Sequence, residues 1–562
     1  MKKNAGKRPV LKYLRATCLC GFLMASMVAL CAETSPAYAN ILNIYTDSGI
    51  PEDAVLWTWA GGQGNFDAIS DQESPERVQH FKATGTNWLG WGVFFNVNGA
   101  NHTKDLSNYS QGYLKFSVKT QINLKVEIEG PVGITKTKYI ANFGWNGANE
   151  WQEISIPISA FQGNLTSVFS PFKITSPYAN TFYIDHVRWE VPITGYTPST
   201  VNVEHKALFV NGSRFIVKGV SGEFTPVGKR GPSYDWSLEP ALLNLDISLI
   251  AGMGANAIRS YNQEPTQVQA LDMLHDKELY MIMGFPVDVV YGNGQVVDFS
   301  NPVVRQNIKT RFLQMVAHWK DHPAILMWCL GNEVNKALEE HGVWPGHWYS
   351  LVEECAQAAH ALEGENDHPV TTANADQAVW DIGDPAKNAN DASLPHLDIW
   401  SLQLYRGPSF GSAFTDYKNS SAKPLLISEF GCDAYNGLTN QEDEAMQAFY
   451  LSTLWKDIAR HLAHPIFSHP SHACIGGVLF AWRDGWWKSQ NGTELTHDTS
   501  TDWLNPNYKD PNMNEEWFGV VKISEGIPAM LTPRQGYYLW TNTERDLAPT
   551  PMNTGLFQRN KR

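Results

Sequence analysis

Two acids stand out because each closes an apolar, β-branched run: Glu333 in HPAILMWCLGNEVN and Glu429 in KPLLISEFG. A run of this kind reads as a strand buried on both faces, as in a parallel sheet. An acid at its C-terminal end is delivered to the open mouth of a barrel. A lone Glu is ordinarily a solvated charge or a helix cap, but an unpaired acid ending a buried strand is expensive. Two such acids brought together can cleave a glycosidic bond, one protonating the departing oxygen and the other attacking the sugar carbon.

Other strand ends supply partners for that chemistry. Arg259 and the hydroxyl of Tyr405 would favour an ionised carboxylate, while an apolar surrounding and a neighbouring anion would keep the other carboxyl protonated. Asn332 could donate to a sugar hydroxyl, and Trp482 could support the sugar ring. Past the last strand, AWRDGWWK (481–488) adds Asp484, Trp486 and Trp487, which either line substrate subsites or pack the rim. For Arg259 the structural alternative is a plain ion pair, and for Tyr405 and Trp482 it is a place in the core.

The elements that must position these residues follow two rhythms. From 41 to 192 the pattern has period two: Leu114, Phe116 and Val118 alternate with Lys115, Ser117 and Lys119, and Leu124, Val126 and Ile128 with Lys125, Glu127 and Glu129. Gly and Asn punctuate the runs, so this half reads as an antiparallel, jelly-roll-like β-sandwich. Residues 193–200 read as a linker. From 201 to 545 short apolar strands alternate with long amphipathic segments. Eight are discernible: 214–220, 256–261, 280–287, 324–333, 370–375, 398–405, 424–431 and 476–484, with helices such as 301–320, 347–363 and 440–463 between them. That is an α/β chain folded as a (β/α)8 barrel. A doubly wound open sheet is the alternative, but no glycine-rich phosphate loop follows any strand.

These motifs carry a resemblance. GNE ending the fourth strand and SEFG ending the seventh resemble clan A of the glycoside hydrolases. KDHPAILMWCLGNEVN, KPLLISEFG and the late WFGVV…YYLW are similar to the barrel domain of family 2. The resemblance spans 201–545 and implies Glu333 as acid/base and Glu429 as nucleophile in a double displacement that retains anomeric configuration. Family 2 enzymes usually place two β domains before the barrel, whereas one fits here. IRSYN after the second strand also resembles β-1,3-glucan transglycosylases of the same clan. In the first domain, KATGTNWLGWGVFF and FYIDHVRWE resemble β-sandwich carbohydrate-binding modules of polysaccharide hydrolases, with Trp88, Trp91, Trp145 and Trp151 as candidate platforms and Trp151 as a core candidate.

Composition bounds the partners. The formal charge of −14 argues against nucleic acid or an anionic membrane surface. Residues 1–39 read as a cleaved export signal, with a basic start, an apolar run from Ala16 to Ala32 and Ala37-Tyr38-Ala39 before the cut. Its removal takes six basic residues and Glu33, leaving 37 Lys+Arg against 56 Asp+Glu, a charge of −19. A periplasmic or secreted fate is expected, with no stable membrane insertion after signal cleavage; an uncleaved anchor is the alternative. Residues 546–562 form a polar tail. The remaining Cys329, Cys355, Cys432 and Cys474 lack a disulfide framework, although export would permit a pairing. His461, His464, His469, His472 and Cys474 suggest a metal, but Pro465 and Pro470 break any helix that would align them. The two-acid chemistry needs no cofactor or catalytic metal. A structural calcium in the sandwich is compatible with such modules, though no ligand loop identifies one.

Three readings stay open: a retaining hydrolase of a β-linked polysaccharide or oligosaccharide (a β-glucan first), a transglycosylase using the same intermediate, and a non-catalytic glycan-binding envelope protein.

Overall fold

A computed structural model describes residues 41–541, apart from short internal segments of which 70–79 and 465–471 are the longest. The expected export signal and C-terminal tail lie outside the described residues, as do His469 and most of the loop that precedes Cys474.

The first domain is the expected antiparallel sandwich. One sheet runs Gln152–Pro157, Tyr113–Lys119, Asn180–Glu190, His80–Gly85, Gly64–Ile69, with Ile41–Tyr45 also paired to Asn180–Glu190. The facing sheet runs Lys138–Tyr139, Lys125–Gly130, Ser170–Ser176, Leu89–Val97, Ala54–Ala60. The alternation has its predicted result: Leu114, Phe116, Val118 and Leu124, Val126, Ile128 are buried between the sheets with Trp91, Phe172 and Trp189. Each large apolar side chain so buried contributes about 1.5–3 kcal/mol before the entropy of ordering it is subtracted.

The second domain is a closed barrel of eight parallel strands: β1 (Val217–Ser221), β2 (Ala257–Arg259), β3 (Tyr280–Phe285), β4 (Ile325–Asn332), β5 (Val370–Ala375), β6 (Ile399–Gln403), β7 (Leu425–Phe430) and β8 (Cys474–Leu479). Six fall within the runs read from the sequence, whereas β1 runs one residue past its run, to Ser221, and β8 starts two residues before its run, at Cys474, and ends at Leu479 rather than at 484. Outside them lie helices such as α1 (Pro240–Gly252), α2 (Val268–His275) and α3 (Pro302–Trp319). The last of these shows how local chemistry sets an element. Asn301 caps its first turn by accepting from the Val303 amide, Pro302 occupies the first helical position, and Val304, Ile308, Phe312, Met315 and Trp319 bury one stripe.

A three-stranded antiparallel sheet (Val201–Glu204, Ala207–Val210, Ser213–Phe215) precedes the barrel. Val201, Leu208 and Val210 share one buried cluster with the interior side chains Ile282, Leu326 and Ile399. Ser199 just ahead of it, Lys206 in its first turn and Arg214 on its third strand donate to the carbonyls of Pro323, Ser421 and Ala463; the first two lie just before β4 and β7, and Ala463 pairs through its amide with the first residue of β8. The sheet therefore closes the N-terminal end and leaves the C-terminal mouth open. The described residues between 481 and 533 run past that mouth as largely irregular chain with two short hairpins, Trp503–Leu504 with Asn512–Met513 and Val521–Ile523 with Leu531–Pro533, and the helix Gln535–Thr541 follows.

Cys329, Cys355, Cys432 and Cys474 are free, buried thiols, so no pairing joins these four. His461 stacks on Phe414 at 4.2 Å and its Nδ1 faces the Asp457 carbonyl. Among the described residues no group of His, Cys, Asp and Glu could hold a metal ion, and no helix is long and apolar enough to cross a membrane.

Candidate active site

Glu333 follows β4 in the left-handed backbone region, φ 52°, two residues after Gly331 at φ 73°. A Cβ on Gly331 would come within 2.8 Å of the Trp348 ring, so glycine is required there. Positive φ in a non-glycine residue is a conformation that surrounding structure must impose, and such residues cluster at functional sites. Here the Glu333 amide donates to the Ala373 carbonyl of β5 at 2.8 Å, fixing the turn.

Glu429, buried within β7, receives three side-chain donors. Arg259 Nη1 reaches Oε1 at 2.8 Å, Gln403 Nε2 reaches the same oxygen at 2.7 Å, and the Tyr405 hydroxyl reaches Oε2 at 2.9 Å. Arg259 also donates through Nη2 to Asn332 Oδ1 at 2.5 Å, and its guanidinium lies 4.3 Å from the Tyr261 ring centre. Gln403 donates to the same Asn332 oxygen at 2.7 Å. Two donors on Oδ1 leave the amide NH2 of Asn332 to face the cavity. Arg259, Asn332, Tyr405, Glu333 and Glu429 are thus brought to one place, as their positions at strand ends predicted.

That place is a cavity of about 560 Å³ at the C-terminal mouth, with both glutamates in its wall. Burial and the negative charge of Glu429 push the Glu333 carboxyl up to about 7, against the opposing pull of Lys336, whose Nζ lies 3.5 Å away. One carboxyl that holds a proton near neutrality beside another that accepts three hydrogen bonds is an arrangement able to protonate a leaving oxygen and attack the carbon it leaves.

Three expected substrate contacts are corrected. β8 ends at Leu479, so the alternation that would bring Trp482 to the cavity stops before it. Trp482 is fully buried and donates its indole N–H to Asp246 of α1 at 2.8 Å. Asp484 is buried too and takes both Nη1 and Nη2 of Arg534, at 2.6 and 2.8 Å, since a buried carboxylate requires a partner. Trp486 stacks on His497 at 4.7 Å, and His497 on Trp517 at 3.8 Å, outside the cavity wall. The wall is formed instead by Phe480, Trp487, Trp503 and Phe518, with Glu223 and Glu515 as additional acids. Gln403 had a legible signal, since it lies two residues before Tyr405 and therefore on the same strand face. Glu515 and Trp503 had none, because a 3-10 turn and a two-residue hairpin strand beyond β8 carry them.

On the sandwich, Trp88 is exposed as a platform would be, but Trp91 is core, Trp145 is tied to the Thr120 carbonyl, and Trp151 is only half-buried against Tyr183. Trp57 and Trp59 were missed. Trp57, 42% exposed, stacks on Phe94 at 4.5 Å, and a Cβ on neighbouring Gly90 would meet the Trp59 indole at 2.6 Å. An aromatic face lying over glycine is suited to stacking on sugar C–H surfaces.

Comparison with known proteins agrees with both halves. Residues 201–468 match the family described as glycosyl hydrolases family 2, TIM barrel domain, and residues 47–191 match carbohydrate binding domain 30. Among curated proteins, β-glucuronidase of Mus musculus is 26% identical over 42% of this chain and 34% of its own length. That of Rattus norvegicus is 25% identical over 47% of this chain and 40% of its own. This chain spans little more than a third of the length of these relatives. A solved β-D-glucuronidase of Dictyoglomus thermophilum aligns with 89% of this chain and 98% of its own, at 12% identity and a TM-score of 0.46.

Proposed function

We propose, from a chain that joins a carbohydrate binding domain 30 to a glycosyl hydrolases family 2 TIM barrel domain, that this protein is an exported retaining β-glycosidase. One observation carries the reading: Glu429, held by Arg259, Gln403 and Tyr405, shares a cavity with Glu333, whose carboxyl keeps its proton to about pH 7. In the first step Glu333 gives its proton to the departing glycosidic oxygen while Glu429 attacks the sugar carbon, forming a glycosyl ester. In the second, Glu333 takes a proton from water, the hydroxide attacks the same carbon, and Glu429 leaves as carboxylate. Two inversions restore the original configuration. Asn332 holds a ring hydroxyl through its free NH2. No cofactor enters either step.

The substrate is a β-linked glycan, with a β-glucan favoured. The aromatic face of Trp57, Trp59 and Trp88 would hold the chain near the cleft, and the basic, apolar first 39 residues support export to where such polymers are met. A second reading, a β-glucuronide substrate, is favoured by the names of the curated relatives.

Incubating the protein and Glu429→Ala with β-glucans, β-mannans and an aryl β-glucuronide tests the reading. The wild type should release new reducing ends whose first-formed anomer is β by NMR, and the variant should lose activity by a factor on the order of 10⁴ or more. Products longer than the donor would assign transfer to a sugar in place of water. An α product formed first, or undiminished activity in the variant, would sink the double-displacement mechanism.

A further inference from the structure

The charges of the cavity bear on which sugar it takes. Five acids line it (Glu223, Glu333, Asp376, Glu429 and Glu515) against two lysines. Among the described residues, the two lysines of the wall, and Arg259 and Arg406 behind it, each face a carboxylate. Arg259 is spent on Glu429, Asn332 and the Ser428 carbonyl, and Arg406 forks onto both oxygens of Asp376. Lys336 lies 3.5 Å from Glu333. Lys488 lies 3.8 Å from Glu223, with its ammonium 4.2 Å from the Phe480 ring centre. Glu223 is further held by the Trp487 indole at 3.1 Å and the Thr225 amide at 3.2 Å. Glu515 differs: its backbone amide is anchored on Asp502 at 2.7 Å, and its carboxylate makes no hydrogen bond or ion pair to any described residue. Among the described residues of the wall, the one uncommitted charge is therefore negative.

We propose that Glu515, backed by Glu223, makes this a site for an uncharged sugar ring and excludes a ring bearing a carboxylate, a selection that rests on the glycosidase reading above. A carboxylate brought into a partly dry, acid-lined cavity loses hydration and meets like charge without a free cation to compensate. A hydroxymethyl group at the same carbon loses little and can donate to Glu515.

The test uses two imino sugars of one ring configuration, differing only in a hydroxymethyl or a carboxylate at the C6 position, in gluco and galacto series. Calorimetry on the whole chain should give at least tenfold tighter binding of the hydroxymethyl form. Glu515→Gln should narrow that ratio at least threefold, and Glu223→Gln provides a second variant should the first misfold. Equal or tighter binding of the carboxylate form, binding of neither, or a ratio that neither variant moves would overturn the proposal. A protein that binds the hydroxymethyl form yet cleaves no glycoside would leave the charge selection standing and overturn the catalytic reading instead.

Discussion

At Glu333 two effects act in one direction, since burial penalises the ionised form and the Glu429 anion adds repulsion, while Lys336 opposes both. The acid must hold its proton to expel the leaving group, so kcat/KM should be sustained below about pH 7 and fall about tenfold per unit above it. Glu429→Gln removes the neighbouring charge and keeps the shape. The carboxyl of Glu333 in that variant should therefore titrate at lower pH than in the wild type, as read by carbon NMR of labelled glutamate. An unchanged or higher titration point would show that Glu333 does not sense the charge of Glu429. Gln403 belongs to the same arrangement: it grips Glu429 and Asn332 with one amide NH2, so the nucleophile candidate and the sugar-facing amide are set by a single side chain.

Among the elements, the small sheet over Val201–Phe215 does more than connect domains. Leu208, fully buried, shares a cluster with Ile282 and Leu326 inside the barrel, at the end opposite the glutamates. Leu208→Ala should cost about 2–5 kcal/mol, the range for emptying a well-packed leucine site. Because the cavity lies at the far end, affinity for the imino sugar should stay within twofold. Thermal unfolding and calorimetry on the same sample check both parts, and a large loss of affinity would show that the closure also shapes the mouth. The helices obey the same local logic as α3, in which an Asn cap and a Pro at the first turn start the element and an apolar stripe holds it to the barrel.

For the whole molecule, the sandwich is seated on the barrel through a polar junction. Arg188 of the sandwich bonds Glu190 at 3.0 Å and Glu153 at 3.5 Å, His318 of α3 lies 3.3 Å from Glu190, and Gln314 of α3 donates to Glu153. Burial alone would raise the Glu190 carboxyl, but the His318 contact, the Arg188 guanidinium and Lys115 outweigh it and hold the group well below the usual carboxylate range. A carboxyl depressed in the folded state contributes stability above its ordinary value near 4.5 and loses it as pH falls through the folded value. Glu190→Gln should therefore cost about 3–5 kcal/mol at pH 7, leaving Arg188 poorly paired. The deficit should shrink between pH 5 and pH 3 in thermal unfolding of both proteins. A deficit that is the same at both pH values would show that this junction carries no charge-linked stability.

How far the chain could be read before its fold was seen depends on how local each signal is. Period-two alternation, eight apolar runs spaced by amphipathic segments, and two acids ending the fourth and seventh runs are contained in a few neighbouring residues, so the sandwich, the barrel and the glutamate pair were legible. So were Arg259, Asn332 and Tyr405, because a strand end in a parallel barrel faces the mouth wherever the rest of the chain goes. Direction is lost where a strand stops. Phe480 and Trp487 reach the cavity while Trp482, Asp484 and Trp486 turn to Asp246, Arg534 and His497, partners far away in sequence or on irregular chain. Which tryptophan is core and which is platform, Trp91 or Trp57, likewise depends on what packs above it. Glu515 becomes part of the site only because the segment after β8 folds back across the barrel mouth. No local pattern encodes that return, since its cause is the long-range burial of Phe518 and Trp540 and the pairing of Arg534 with Asp484.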